Sequence, residues 1–435
     1  MPAITAKFGG TSLADAENIR RAVEIVRANP ERRFVVPSAP GKRHAKDIKI
    51  TDLLYTWHTL GRQGLDPSQA RNLITDRFRE LAKELKLDLD IERLIGDIEE
   101  VGLEYSSPDF MASRGEYLNG LLMAAALDAT FVDPAGLILF DSQGHLDPAS
   151  YDILGAKLAG KGAFVVPGFY GSRPDGRVKT FSRGGSDVTG AIVARATNSA
   201  LYENWTDVSG FLMADPAMVP NAARIEEITY QELRELSYMG AKVLHDEAIF
   251  PVREPGIPIN IRNTREPDNP GTLIKPSRKT HKAVCGIAGV GGFSMIHIEK
   301  PLMNRERGFG RKVLSVLEEH EVNFEHMPTG IDTISLIMRD EELNEKTAAI
   351  LHDLERVCEP ERLAVTTDLA IIATVGQGMV HHIGTAARLT GALAKAGVNI
   401  RVIDQGSSEM NIIIGVEEGD LARAVKAIHD EFAEA

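Results

Sequence analysis

The sequence predicts an α/β protein: a three-layer αβα domain with a mostly parallel central sheet, followed by two smaller ferredoxin-like βαββαβ units. Three observations predict it. Short β-branched runs alternate with helical patterns through residues 3–265, the pattern of parallel strands joined by crossover helices. A polar, basic, proline-containing stretch at 275–284 then interrupts the pattern. Beyond it the tail repeats itself. Gly308-Phe-Gly-Arg-Lys-Val-Leu-Ser-Val-Leu aligns without gaps to Gly384-Thr-Ala-Ala-Arg-Leu-Thr-Gly-Ala-Leu, and the same offset carries Val322 onto Val398 and Gly330 onto Gly406.

Taken in order, residues 3–8 read as a strand ending in Lys7-Phe-Gly-Gly-Thr-Ser12. A helix follows, with Ser12 and Asp15 in capping-box-like spacing and Ile19, Ala22, Val23 and Val26 on one face. Strand, glycine turn and helix make an anion-binding arrangement, and Lys7 is either the cation beside it or a solvated strand-end lysine. G-x-x-x-x-G-K-[ST] occurs nowhere in the chain, and the protein-kinase H-R-D and D-F-G sets are missing. Residues 34–39 form a second strand. The polar stretch 41–50 carries Lys42, Arg43, Lys46 and Lys49, a solvated surface or a phosphate contact, and Thr51 with Asp52 opens the next helix.

Residues 66–104 have helical periodicity and offer no chemistry. The apolar helix over 111–127 carries Glu116 near its start, suited either to the helix dipole or to a cationic substrate group. Residues 131–134 and 137–140 are strand-like pieces. The apolar run 163–167 leads to Lys-Thr-Phe-Ser-Arg-Gly-Gly-Ser-Asp-Val-Thr-Gly at 179–190, where a helix begins. An arginine, two glycines, a serine and an aspartate at such a turn suit an anionic ligand, and equally a glycine turn with an N-cap. A strand at 201–205 ends in Thr206-Asp207, a polar pair at the strand end where open α/β sheets place ligand contacts. A proline-rich loop spans 213–220, a helix 233–249 and a last strand 257–262, with Pro258 marking an edge.

A chain of 435 residues implies two to four domains, and 43% apolar with 26% charged content is that of a soluble globular protein. A net charge of −13 argues against nucleic-acid or anionic-membrane partners. Two cysteines, Cys285 and Cys358, form neither a metal pattern nor a disulfide framework and suit a reducing cytosol. The first residues lack a signal peptide's pattern, and no apolar run is long enough for a bilayer. The expectation is a cytoplasmic protein.

Five motifs in order then resemble the aspartokinases of the amino acid kinase superfamily: Lys-Phe-Gly-Gly-Thr-Ser at 7–12, Arg-Gly-Glu at 114–116, Ser-Arg-Gly-Gly-Ser-Asp at 182–187, Thr-Asp-Val-x-Gly at 206–210 and Gly-Ala-Lys-Val-Leu-His at 240–245. The resemblance spans essentially the whole chain. It implies transfer of the γ-phosphoryl group of ATP to the β-carboxylate of L-aspartate, the first step toward lysine, threonine and methionine. By match to the family motifs, Lys7 would meet the γ-phosphate, with Gly9, Gly10 and Ser12 around the phosphates. Arg183 would fork onto an aspartate carboxylate and share the catalytic work with Lys7 and Asp187. Glu116 would meet the α-ammonium, with Thr51 and Ser186 adding hydrogen bonds. Asp187 would orient Lys7 and the substrate amine. Thr206, Asp207, Lys242 and Val243 would serve the nucleotide. Mg²⁺ would travel with ATP, held by phosphates and water, so no protein metal ligands are expected.

The chain departs from the family where an aromatic and a D-P-R arginine usually follow T-D-V-x-G, having Leu212 and Ala217 instead. Its Ser-Ala-Pro-Gly-Lys-Arg loop at 38–43 is also longer than the common form. The repeated tail resembles the family's paired ACT domains. The expected boundaries are 1–280 for the kinase domain and 285–365 and 366–435 for the two ACT domains. Lysine and/or threonine is the expected effector, with Met303, Gly308, Glu325, Thr329 and Gly330 near its site, in a homodimer or dimer of dimers. Two other readings are a kinase of glutamate-type substrates and a catalytically silent amino-acid-binding regulator.

Overall fold

The computed structural model describes residues 2–105, 107–182, 184–240, 249–279 and 282–433. The chain divides into two compact units. The first comprises Met1–Phe211, Arg224–Leu233 and Lys242–Arg278, and the second Leu212–Ala223, Arg234–Ala241 and Lys279–Ala435.

The first unit opens with β1 (Ile4–Phe8), α1 (Ala16–Ala28), β2 (Arg32–Pro37), α2 (Ile50–Arg62), α3 (Ser68–Leu85), α4 (Ile91–Tyr105) and α5 (Pro108–Leu127). It continues with β3 (Thr130–Phe131), α6 (Ala149–Lys157), β4 (Phe164–Val165), β5 (Tyr170–Ser172), β6 (Val178–Thr180), α7 (Gly185–Ala196) and β7 (Leu201–Thr206). The remaining elements are β8 (Glu227–Thr229), α8 (Tyr230–Tyr238), α9 (Phe250–Arg253), β9 (Ile259–Asn263) and β10 (Thr272–Lys275), and the division between units falls within α8. The eight-stranded sheet runs β3-β4-β2-β1-β7-β9-β10-β8. It is parallel from β3 through β9, and β10 pairs antiparallel with β9 and parallel with β8.

The core explains the layering. Ala6, Phe8, Val35 and Trp205 face α1 to α5 in one apolar cluster, so alternate residues of the same strands, Lys7 and Asn204 among them, face the other way, where α7 lies. α1 starts where Asp15 accepts a hydrogen bond from the Asn18 backbone N–H at 2.8 Å, so Asp15 is its cap, while Ser12 belongs to the turn before it. α5 starts with Ser107 as cap and Pro108 in its first turn. Glu116 therefore lies two turns inside the helix, beyond reach of its N-terminal dipole.

Two further local expectations change. Pro258 does not mark an edge: it directly precedes β9, which is flanked by β7 and β10, and its carbonyl accepts the Tyr202 N–H at 2.9 Å. A proline needs no donor partner in that position, so it is tolerated at the strand's start. The hairpin β5–β6, for which the sequence offered no reading, joins β4 to α7. Leu139 and Phe140 make isolated bridges to Ser172 and Leu146 rather than a strand. Of the helix expected over 233–249, the described parts are α8 to Tyr238 and Ile249 leading into α9; residues 241–248 lie outside the described residues.

The second unit contains β11 (Gly286–Glu299), α10 (Phe309–Glu319), β12 (Thr333–Arg339), α11 (Asp340–Leu343), α12 (Thr347–Cys358), β13 (Arg362–Val375), α13 (Thr385–Lys395), β14 (Val402–Asp404), β15 (Asn411–Glu417) and α14 (Leu421–Phe432). Its antiparallel sheet runs β12-β11-β13-β15-β14. The repeat is exact in its first helix: α10 and α13 coincide residue for residue under the sequence offset, and each starts at a left-handed glycine, Gly308 at φ 83° and Gly384 at φ 87°. The strands interleave. Residues 293–299 of β11 pair with β12 and with 362–369 of β13, whereas residues 286–290 pair with 371–375, beside β15. Irregular register between Val290 and Met295 marks the changeover. The loop after β7 also belongs here, since Ile287 N–H donates to the Met213 carbonyl at 2.7 Å.

Candidate active site

Parallel strands in register bring their carboxyl ends to one edge, and β1, β2 and β7 end together. Lys7 is the penultimate residue of β1 and is 7% exposed. Its Nζ lies 2.5 Å from Asp187 Oδ1, in the first turn of α7. Asn204 completes the group from β7: its Nδ2 donates to the same Asp187 oxygen at 3.0 Å, and Lys7 Nζ donates to its Oδ1 at 3.4 Å. The Tyr202 hydroxyl, on the same face of β7, donates to the Asp187 backbone carbonyl at 2.9 Å. Asp187 is thus held from β7 by both its main chain and its side chain.

The Gly9-Gly10 turn follows β1, with Gly9 N–H donating to the Trp205 carbonyl at 2.9 Å. The loop after β2 crosses this turn: Gly41 N–H donates to the Gly10 carbonyl at 2.8 Å, and a Cβ on Gly41 would sit 2.5 Å from that oxygen. The glycine is required by one backbone passing over another. Arg77 of α3 holds the crossing. Its guanidinium donates to the carbonyls of Ala14 at 2.5 Å and Gly41 at 2.8 Å and to Asp47 at 3.0 Å. Asp47 also takes Arg43 at 3.0 Å, and the two guanidinium partners hold its carboxyl far below the usual carboxylate range. Arg43 is further paired with Glu80 at 3.2 Å, so it is engaged in bracing the loop.

Ser12 is buried, and its hydroxyl lies 2.9 Å from that of Thr264, which donates to the Thr206 carbonyl at 3.0 Å. The pair ties the glycine turn to the end of β7. There the Thr206 hydroxyl donates to Asp207 at 3.2 Å, in an exposed position.

Glu116 is 6% exposed on α5. Burial pushes its carboxyl up to about 8, offset in part by the Ala39 backbone N–H. Its Oε2 has no hydrogen-bond partner among the described residues. One turn along, Asn119 Nδ2 donates to the Ser38 carbonyl at 2.6 Å, holding the same loop end. A buried carboxyl with one oxygen unpaired is suited to receive a cation.

α7 begins at Gly184, whose φ of 58° places it in the left-handed region. Ser186 in its first turn is 8% exposed. Phe169, before the hairpin, holds φ 81° without being a glycine; its N–H donates to the Thr189 hydroxyl at 3.0 Å and its carbonyl accepts from Phe181 at 2.9 Å. A bulky residue in that region is strained backbone that its neighbours impose. Thr51 stands half-buried in the first turn of α2. Arg183, Lys242 and Val243 lie outside the described residues.

In the second unit, Met303 is buried in a short turn and Gly308 starts α10. Glu325 is ion-paired to Arg339 at 2.7 Å, and the Tyr238 hydroxyl is pushed up to about 12 by burial and by that carboxylate. Thr329 bridges to Ile334, and Gly330 N–H donates to the Thr333 carbonyl at 2.8 Å, so these positions form a strip beside β12. Between β11 and α10, Glu306 contacts Lys300 at 2.8 Å and Lys312 of α10 at 2.5 Å.

Sequence reasoning did not single out Asn204, Asn119, Arg77, Asp47 or Phe169. Asn204 alone left a signal, a polar side chain on the same strand face as Thr206 and two residues before it. Arg77 was covered by the helical stripe of α3, and Phe169 has no local signature for a left-handed backbone.

The sequence model of the amino acid kinase family matches residues 3–263, and that of an ACT domain matches residues 372–432. Aspartokinase 3 of Bacillus subtilis is 41% identical over 446 residues, covering 98% of each chain. Among solved structures, the aspartate kinase of Clostridium acetobutylicum superposes with a TM-score of 0.93 at 47% identity, covering 99% of this chain and 100% of that one. Escherichia coli aspartokinase III, solved with aspartate and ADP, superposes at 0.75 with 27% identity over 99% of this chain and 100% of that one. The same enzyme with lysine and aspartate gives 0.74 at 26%, covering 99% of each. The chain belongs to the amino acid kinase family, among its aspartokinases.

Proposed function

We propose that the chain transfers the γ-phosphoryl group of ATP to the β-carboxylate of L-aspartate, giving 4-phospho-L-aspartate, under feedback control through its ACT domains. The observation that carries the reading is the Lys7–Asp187 pair, 2.5 Å apart at the carboxyl edge of the sheet, with Glu116 buried against the loop of the neighbouring strand. The nucleophile is a carboxylate, already ionised at neutral pH, so no strong general base is needed. The site has instead to assemble two anions and offset the charge that builds on the transferring group.

In this reading Lys7 presents its ammonium to the γ-phosphate, and the Gly9-Gly10 turn, Ser12, Thr206 and Asp207 frame the nucleotide with Lys242 and Val243. Arg183 forks onto an aspartate carboxylate, Thr51 and Ser186 add hydrogen bonds to the substrate and Glu116 receives the α-ammonium. Asp187 fixes Lys7 from one side. No group of three or more His, Cys, Asp or Glu residues among the described residues is arranged for a metal ion. In this reading Mg²⁺ arrives with ATP on its phosphates, where it would neutralise their charge. With Leu212 and Ala217 in the loop after β7, the nucleotide pocket is completed by other groups than an aromatic and an arginine.

Residues 1–280 are assigned to the kinase domain and 285–365 and 366–435 to the two ACT domains, with strand 286–290 lent to the second. Lysine and/or threonine is the assigned effector, at the strip formed by Met303, Gly308, Glu325, Thr329 and Gly330; the lysine complex of the E. coli enzyme supports an amino-acid effector. Exposed Ile331 and Ile383 support self-association of the second unit as a homodimer or dimer of dimers. The reading includes a cytoplasmic location, which rests on the sparse cysteines of the sequence; separately, no described helix is long and apolar enough to cross a membrane.

The test is a coupled assay of ADP release with Mg²⁺ and ATP in the presence of aspartate, of glutamate or of no acceptor. Turnover with aspartate alone is expected. Turnover only with glutamate, or none at all, would overturn the reading.

A further inference from the structure

We propose that Asn204 is a positioning residue for phosphoryl transfer, fixing the direction in which Lys7 and Asp187 present their remaining polar groups. The inference rests on the roles given above to Lys7 and Asp187.

Asn204 and Lys7 are cross-strand neighbours in the register of β7 and β1, two strands in the interior of the sheet. Asn204 is 3% exposed, so its backbone and side chain are both fixed. Its amide closes a three-membered ring with the ion pair. Asp187 Oδ1 receives Lys7 at 2.5 Å and Asn204 Nδ2 at 3.0 Å, and Asn204 Oδ1 takes a second Lys7 N–H at 3.4 Å.

Each contact removes a freedom the chemistry cannot tolerate. An aspartate held only by a lysine can turn about its last torsion and exchange its two oxygens, because the lysine stem follows it. With Oδ1 pinned by an amide carried on a strand, Oδ2 is the oxygen left to the site. A lysine ammonium has three N–H groups in tetrahedral array. Two are taken, so the direction of the third is set, and that is the one available to a phosphate. Charge explains why the residue is an amide. A carboxylate at 204 would place two acids against one ammonium and draw Lys7 back from the phosphate. A leucine would leave the ion pair free to reorient.

The test uses the full-length enzyme. Asn204→Leu and Asn204→Asp are expected to lower kcat about 10- to 100-fold, the cost of a displacement near 1 Å at a reacting group. The KM values for aspartate and ATP should stay within about threefold, since Asn204 orients groups used in the transition state. If Asn204 acts through Asp187, adding Asn204→Leu to Asp187→Asn should cost less than about threefold more, whereas a separate structural role would multiply the losses. Thermal melting identifies folded variants, and Asn204→Ser replaces any that fails to fold. A folded Asn204 variant with kcat within about twofold of wild type, while Lys7→Ala is inactive, would overturn the inference and leave the Lys7 assignment standing. Normal turnover by Lys7→Ala would overturn both.

Discussion

Glu116 makes aspartate binding depend on pH in a direction that can be worked out. Its carboxyl, ordinarily near 4.5, is raised to about 8 by burial in α5. At pH 7 such a group is roughly 90% protonated in the free enzyme. An α-ammonium placed against Oε2 supplies the missing countercharge, so the bound state favours the carboxylate and binding expels a proton. Below pH 8 the apparent affinity for aspartate should therefore improve with rising pH by up to tenfold per unit, about 1.4 kcal/mol, and level off above it. The assay is KM for aspartate at saturating Mg–ATP from pH 6.0 to 8.5. Calorimetric titration at pH 7 in two buffers of different ionisation enthalpy should count close to one proton released per aspartate. Glu116→Gln should raise KM and flatten its pH profile. The stability sign follows the same linkage. A carboxyl whose folded value is raised is easiest to bury protonated, so the unliganded enzyme should lose stability as pH climbs from the ordinary carboxylate range through 8, and aspartate should restore it. A wild-type KM flat within about twofold between pH 6 and 8, or an unchanged slope in Glu116→Gln, would refute this account.

Lys7→Ala should reduce kcat by about 10³-fold or more with little change in melting temperature, because the ammonium acts chiefly on charge in the transition state; near-normal kcat would refute it. Gly41→Ala forces a Cβ to 2.5 Å from the Gly10 carbonyl, and denaturant titration should show a loss of about 1–3 kcal/mol together with a raised KM for ATP. Arg77→Met strips a buried cation from Asp47 and two carbonyls and should cost about 3–5 kcal/mol by the same measurement. Lysine, threonine and methionine, titrated singly and in pairs, should include at least one inhibitor whose potency falls roughly tenfold in Glu325→Gln, the loss of a charge-assisted contact; unchanged potency would place the effector elsewhere.

The parallel sheet, the capped helices and the repeated tail were legible because each rests on a local periodicity. β1 reads as a buried run, α1 shows its apolar stripe although its cap is Asp15 rather than Ser12, and the glycines before α10 and α13 stand at matching positions. Of the residues named from motifs, Lys7 and Asp187 stand together at the strand ends. What escaped was whatever depends on chain crossings. Nothing near Gly41 says that Gly10 lies beneath it, and Arg77 looks like any helix-surface arginine until Asp47 and the two carbonyls converge on it. The same holds for Pro258: a proline in a β-rich run implies an edge only if the following strand has one neighbour, and β9 has two. Glu116 was placed near a helix start because the apolar pattern begins at Met111, whereas the Ser107 cap and Pro108 set the true start.

The interleaving of β11 and β13 fixes an order of assembly. Residues 286–290 emerge from the ribosome well before 371–375, the strand they pair with, and β15 follows later still. That half of the sheet stays open until nearly the whole chain exists, a high-contact-order closure that favours slow, late folding. It also means that neither repeat can be exchanged between homologues as one continuous segment. A chimera cut after β12 and α12 would inherit its first strand from one parent and that strand's partner from the other, so transplanting effector specificity calls for moving residues 286–433 as a block.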